Sequence, residues 1–273
     1  MLIVHLHAFK CAGSTFSWIL EKNFPGSVLY VESKNPSKRL RWSEIQNILK
    51  NRSHIKAITS HLLECPPINT NNSYLIVELI RNPINRYLSA YRFQKKVGQI
   101  KAETSFQQYL QAHRDTIRAN FMSRHLSPQY FNSEEGKQQG WMLNNDAIDL
   151  NRDDLFVGTV EKFDESMVLL EILFQSKGIP LDLSYPQAQN ISSQEDDATA
   201  AFDEITEDLR NSLTCEDTDL MAKVNINLDA KIGKVSGFDD LLQAYRDRCS
   251  ALINCSVTNS IRTPPPAKWK YVH

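Results

Sequence analysis

Two short stretches of the 273-residue chain combine residue types that can do chemistry: "HLHAFKCAGST", residues 5–15, and "RNPINRYLSAY", residues 81–91. The first can present Lys10, backbone amides around Ala12 to Ser14, and the hydroxyls of Ser14 and Thr15. Gly13 permits a close turn there, and the start of a following helix offers N–H groups that have no partner within the helix. Such a set suits a phosphate or a phosphosulfate. It is not the ATP loop GxxxxGK[ST], because its lysine precedes the glycine. A plain strand-to-helix turn with a surface lysine uses the same letters. In the second stretch Arg81 falls at the end of an apolar run. Arg86 and Ser89 lie three residues apart on a helix and share a face, with Arg92 three further on. Guanidinium groups and a hydroxyl offer directional donors to a dianionic phosphate, although helix arginines are also ordinary surface residues. Taken together, the two stretches suggest one ligand with anionic groups at two separated positions.

The elements that must hold these residues follow from hydrophobic periodicity. "LIVHLHAF" reads as a first strand, and from Ser14 or Thr15 the spacing of Phe16, Ile19, Leu20 and Phe24 is that of a helix face, closed by Pro25-Gly26. "SVLYV" is a second strand, "RWSEIQNILKN" a helix, and "HIKAITSHL" a third strand with Ser60 and His61 near its exit. The run from Tyr74 to Ile80, apolar except for Glu78, is a buried strand; Pro83 then opens a helix. This alternation predicts a parallel α/β sheet with crossover helices. Leu155 to Val160 is a further strand, followed by a helix that Gly178 stops. Residues 127–145, polar and glutamine-rich, read as an active-site cover or a surface excursion, and 184–203 as a polar connection. Helices are expected near 201–213, 216–231 and 237–252, giving a helix-rich C-terminal part. Residues 1–260 are expected to form a single domain, with 261–273 as a C-terminal arm. In that arm Lys268, Trp269, Lys270 and Tyr271 suit either a sugar or anionic partner or a simple tether.

Composition narrows the function classes. Lys and Arg number 31 against 32 Asp and Glu, which argues against a broad nucleic-acid footprint. No stretch has the length and apolarity of a membrane span. "MLIVHL" carries no basic leader, so a cytoplasmic protein without a transmembrane span is expected. Cys11, Cys65, Cys215, Cys249 and Cys255 form an odd, scattered set without a CxxC pair, a poor framework for disulfides or zinc. His5 and His7 lack the partners of a fixed metal cluster, and no metal is expected.

The two stretches resemble the carbohydrate-type branch of the sulfotransferase family, which uses 3'-phosphoadenosine 5'-phosphosulfate (PAPS). "HAFKCAGST" is similar to that family's HIPKTGGTS-like loop, with Phe9 for the usual proline and Cys11 for a usual threonine. "RNPINRYLSAY" is similar to its RDPxxRxxSxY motif, with Asn82 for the common aspartate. The likeness extends to "TSHLLEC", "NFMSRHL" and "FVGTVEKFDESMVLLE", with a weaker echo in "INLDAKI". The resemblance implies a P-loop-like sulfotransferase fold, with a central parallel β-sheet flanked by helices. It implies that Lys10, Cys11, Ala12, Gly13, Ser14 and Thr15 cradle the 5'-phosphosulfate, Cys11 through its backbone amide. Arg81 and Ser89 would bind the 3'-phosphate, with Arg86 in support.

The activity implied is transfer of a sulfuryl group from PAPS to a hydroxyl, leaving PAP. The acceptor implied is a saccharide or glycan, with a lipid-linked or small-molecule hydroxyl as the alternative. Lys10 would neutralise charge on the leaving phosphate. His61 is the first candidate for general base, against a structural histidine. His7, Asn120, Arg124 and Glu161 are candidates for acceptor contact or support. Competing readings are a non-enzymatic PAP or nucleotide-binding protein, a kinase-like phosphotransferase, which lacks its Walker lysine and an evident magnesium aspartate, and a structural interaction protein.

Overall fold

A computed structural model describes residues 1–35, 39–68, 73–114, 116, 119–127, 148–186, 205–258 and 270–272. Within them the chain runs β1 (Leu2–Leu6), α1 (Gly13–Asn23), β2 (Val28–Ser33), α2 (Trp42–Leu49), β3 (Ala57–Ser60), β4 (Tyr74–Ile80), α3 (Pro83–Lys96), α4 (Phe106–Gln111) and α5 (Phe121–Leu126). It continues through β5 (Leu155–Thr159), α6 (Phe163–Ser176), α7 (Glu207–Ile232), α8 (Phe238–Thr258) and β6 (Lys270–Val272). The polar stretches 127–145 and 184–203 of the sequence reading lie almost wholly outside the described residues.

The strands form one sheet in the order β5-β4-β1-β3-β2-β6, and every adjacent pair is parallel. All seven residues of β4 are buried, as a strand covered by helices on both faces requires. Phe16, Ile19 and Leu20 of α1 are fully buried against the sheet. Strand β5 meets α6 closely at Gly158, where a Cβ would stand 2.8 Å from the Ser166 Cβ. This explains a glycine inside a buried strand. A second apolar cluster joins Tyr87 and Leu88 of α3, Tyr109 and Leu110 of α4, and Leu209 and Leu213 of α7. This α/β architecture with its helical C-terminal part is the one expected from the alternating pattern.

Two local expectations are corrected. The helix after β1 starts at Gly13 rather than at Ser14 or Thr15, because Ala12 takes the N-cap position. The expected break between 213 and 216 is absent: α7 is continuous from Glu207 to Ile232. No glycine or proline interrupts that stretch, and the Thr214 hydroxyl donates to the Arg210 carbonyl within the helix (2.9 Å). Of the C-terminal arm, Lys270–Val272 pairs with β2 as a parallel edge strand, while Lys268 and Trp269 lie outside the described residues. Among the described residues no helix is long and apolar enough to cross a membrane.

Candidate active site

Strand β1 stands between β3 and β4, so the connections leaving β1 and β4 diverge toward opposite halves of the sheet. In such sheets the divergence opens a crevice at the carboxyl ends of the strands. That edge receives the loop His7–Ala12 from β1, Arg81 from β4, His61 from β3 and Glu161 from β5, with Glu32 near the end of β2.

The loop after β1 is tightly wound. Lys10 and Ala12 both take left-handed backbone conformations, with φ of 67° and 58°. The Ala12 carbonyl accepts from the Thr15 and Phe16 amides at 3.0 and 3.1 Å, and no side chain caps the helix start. The left-handed turn therefore falls on Lys10 and Ala12, not on Gly13. What Gly13 supplies is room: a Cβ there would lie 1.9 Å from His7 Cδ2. Cys11 is buried, its Sγ 3.8 Å from the Phe9 carbonyl and 3.8 Å from Met122 Sδ. Burial pushes its thiol up, so it packs as a neutral group and is no nucleophile. Thr15 is buried and Ser14 half-buried. The Lys10 ammonium lies 4.6 Å from the Phe93 ring centre. Burial, and then the charge of Arg81, hold its pKa below the ordinary lysine value.

The second motif begins where β4 ends. The Arg81 amide donates to Met122 Sδ (3.3 Å), and the Asn82 amide donates to Glu161 Oε1 (2.8 Å). Glu161 thus ties the exit of β5 to the entry of α3. Asn82 caps α3 by accepting from the Asn85 amide at 3.1 Å, and Pro83 fills the first turn. Arg86 is only 3% exposed, its guanidinium carbon 4.5 Å from the Tyr87 ring centre and 5.1 Å from that of Phe121. Ser89 is buried one turn further along.

Imidazoles line the inner wall. His61 stacks on His7 with ring centres 4.0 Å apart, and His7 on His5 at 5.1 Å. Glu32 Oε1 accepts from the His61 amide and lies 3.2 Å from its Nδ1. The His61 side chain is 31% exposed, whereas His5 and His7 are buried. Burial, reinforced by the charge of His61, lowers His5 to about 3 and holds His7 well below the usual histidine range. His5 Nδ1 bonds the Thr59 hydroxyl at 2.8 Å. Below this stack, His125 Nε2 meets the His61 carbonyl at 3.1 Å and Nδ1 meets Glu78 Oε1 at 2.9 Å. A carbonyl only accepts, so Nε2 carries the proton and Nδ1 accepts one from Glu78. Burial favours the same assignment: it pushes the Glu78 carboxyl well above the carboxylate range and His125 well below its own.

Asn120 and Arg124 belong to a buried junction beneath this edge. Asn120, at φ 48°, accepts through Oδ1 from the amides of Glu216 (3.0 Å) and Asp217 (3.4 Å). Arg124 is 3% exposed, and its carbonyl accepts from the Arg39 guanidinium at 3.3 Å. Glu32, Met122 and Asp217 were not singled out from the sequence. A separate cavity of ≈ 460 Å³ between β5, α6 and the end of α7 includes none of the site residues, and its lysines 177 and 231 lie at helix C-termini. Among the described residues no group of three or more His, Cys, Asp or Glu side chains is arranged to hold a metal ion.

A family model described as "Sulfotransferase family" matches residues 2–214. An uncharacterized protein of Archaeoglobus fulgidus is 28% identical over 183 residues, covering 63% of this chain and 72% of its own. Among solved structures, a sulfotransferase from Alicyclobacillus acidocaldarius aligns with a TM-score of 0.39 at 13% identity, over 82% of this chain and 95% of that one. Mouse sulfotransferase SULT7A1 complexed with PAP aligns with a TM-score of 0.43 at 11% identity, over 90% and 88%. Because the family model spans both anion motifs and every element from β1 to the start of α7, the chain belongs to the sulfotransferase family.

Proposed function

We propose that the protein transfers the sulfuryl group of PAPS to a hydroxyl of a saccharide or glycan acceptor. The observation that carries this reading is the convergence of Lys10 and Arg81. They leave adjacent strands at the same edge, close enough that the arginine charge lowers the lysine pKa. Among the described residues, no carboxylate forms an ion pair with either. Two neighbouring cations suit an anionic ligand. In this reading Lys10 and the amides from Cys11 to Thr15 hold the 5'-phosphosulfate. Arg81 and Ser89 hold the 3'-phosphate, with Arg86 behind them.

Transfer forms a bond from the acceptor oxygen to sulfur and breaks the bond from sulfur to the 5'-phosphate oxygen, releasing PAP. Lys10 neutralises the charge growing on that leaving oxygen. The acceptor proton passes to His61, which Glu32 orients: Nδ1 faces the carboxylate, leaving Nε2 to accept. His7 is not the base in this reading, because it is buried behind the loop. The saccharide acceptor follows from the resemblance to the carbohydrate branch.

The test is incubation with PAPS labelled in the sulfuryl group and a panel of saccharide, lipid-linked and small-molecule hydroxyls, following both sulfated product and PAP. Sulfated saccharide appearing in step with PAP supports the reading. Absence of PAP and PAPS binding overturns it. Sulfation confined to the other acceptors overturns the saccharide assignment alone.

A further inference from the structure

His61 is the first residue after β3, whose last pairing in the sheet is Ser60 with Leu6. Beyond that point side chains hold the backbone. Ser60 Oγ accepts from the amides of Leu62 and Leu63 at 3.2 and 3.0 Å, and Glu32 accepts from the amide of His61. The His61 carbonyl is met by His125 Nε2 at 3.1 Å, and His125 Nδ1 by Glu78 Oε1 at 2.9 Å. His125 and Glu78 are both wholly buried, and the imidazole stacks on Phe121 with ring centres 5.4 Å apart. Glu78 belongs to β4, so two hydrogen bonds reach from that strand to the peptide that follows β3, past β1 between them.

A buried pair of ionisable groups is a poor source of stability, because an apolar pair of similar volume fills the same space without their desolvation. What an apolar pair lacks is a directed N–H. Burial, aided by Asp217, outweighs the charge of Arg39 and keeps the Glu78 carboxyl protonated, so it donates to Nδ1. That bond sets the His125 tautomer, with the Nε2 proton turned to the His61 carbonyl.

We propose that Glu78 and His125 are positioning residues for the general base. They hold the His61 carbonyl while Glu32 holds its amide, so the peptide keeps one orientation and the ring presents Nε2 to the acceptor hydroxyl. This rests on the reading of His61 as the base. Proton transfer needs hydrogen-bond reach, so a turned peptide costs rate even where the donor nucleotide binds as before. Being wholly buried, the pair acts on turnover through His61 and not by touching a ligand.

The experiment measures single-turnover transfer from sulfuryl-labelled PAPS to the acceptor most readily sulfated in the panel, with PAP affinity titrated by calorimetry on the same samples. Glu78→Leu/His125→Phe removes both members of the pair, so neither is left buried alone. Its transfer rate is expected to fall by about 10–100-fold, with PAP affinity within about threefold of wild type. Glu78→Gln offers Nδ1 an amide donor in place of the acid and is expected to retain transfer within about threefold. In a His61→Ala background the double change is expected to cost less than about twofold, since the group it positions is gone. If the double variant does not fold, His125→Asn replaces it: the shorter amide stays beside Glu78 and withdraws the donor from the His61 carbonyl. Wild-type transfer in the variant that removes this donor overturns the positioning role. So does a parallel loss of PAP affinity, a Glu78→Gln protein as slow as that variant, or an undiminished further loss in the His61→Ala background. A His61→Ala protein as fast as wild type overturns the base assignment instead, and a wild type that sulfates nothing in the panel overturns the proposed function.

Discussion

The α-carbon of Gly13 faces the imidazole of His7 so closely that a Cβ would stand 1.9 Å from Cδ2 and 2.2 Å from Nε2. The glycine at the head of α1 is therefore demanded by a histidine in the preceding loop, not by backbone conformation. Contacts under 3.0 Å force one partner to move, and His7 is wedged between the rings of His5 and His61. Gly13→Ala is expected to cost about 1–3 kcal/mol of stability, the usual range for overpacking, and to weaken PAP binding. His7→Ala/Gly13→Ala is expected to recover much of the loss, since it vacates the space. Denaturant unfolding of the four proteins in that cycle checks this. Additive costs would mean that the two residues do not meet.

The pair His61 and Glu32 makes a different prediction, about turnover. With His61→Ala, sulfuryl transfer is expected to fall by about 10²–10⁴-fold while PAP affinity stays within a few-fold of wild type. Glu32→Gln, which keeps the shape but not the charge that orients Nδ1, is expected to fall between the two. Single-turnover rates alongside PAP titrations separate the outcomes. Parallel loss of binding and turnover in both variants would assign the dyad to architecture.

The convergence of Lys10 and Arg81 implies a trade between stability and binding. Each charge disfavours the other in the free protein, so Arg81→Met is expected to leave the melting temperature unchanged or raise it slightly. The same change is expected to weaken PAP binding by an order of magnitude or more, through loss of a charge-assisted contact to phosphate. Calorimetric melting and titration on the same samples measure both. A variant that melts lower and binds PAP as wild type does would remove Arg81 from the site.

The parts legible in the sequence were those written in local pattern. The alternation of apolar runs and helical spacings marks β1 to β4 with their crossovers, and the loop and arginine motifs sit at strand exits where a parallel sheet brings them together. The unread parts depend on partners far apart in the chain. Glu78 looks anomalous inside an apolar run until His125, from α5, supplies its hydrogen bond. Glu32 gains meaning only when β2 and β3 pair and deliver His61 beside it. Asp217, among several acids of α7, differs from its neighbours only in which way the helix turns it. Such residues have ordinary local context, so periodicity carries no mark of them.

The buried imidazoles predict an acid limit to stability. His5 is held at about 3, against an ordinary 6.5 in the unfolded chain. Between those values the unfolded state binds a proton that the folded state does not, so stability falls as pH drops below 6.5, by about 1.4 kcal/mol per pH unit for each such group. His7 and His125 act in the same direction. Glu78, with its raised pKa, acts in the opposite direction above pH 4.5, because there the folded state retains a proton that the unfolded state has lost. His5→Leu isolates one imidazole: its unfolding free energy between pH 6.5 and 5 is expected to change with a slope shallower by one proton. Identical slopes in the variant and wild type would mean that His5 titrates freely in the folded protein.

Asn120 combines a left-handed backbone with a side chain that accepts two amides of α7, and the two contributions separate by substitution. Asn120→Gly keeps the backbone conformation and deletes the side-chain bonds. Its cost, about 1–3 kcal/mol, is that of leaving buried amides without their acceptor. Asn120→Ala deletes the same bonds and adds the left-handed penalty of a Cβ, a further loss of about 1 kcal/mol. Urea unfolding orders wild type above glycine above alanine in stability. Alanine equal to glycine would remove the backbone term. Glycine equal to wild type would mean that the grip of Asn120 on α7 adds nothing to the fold.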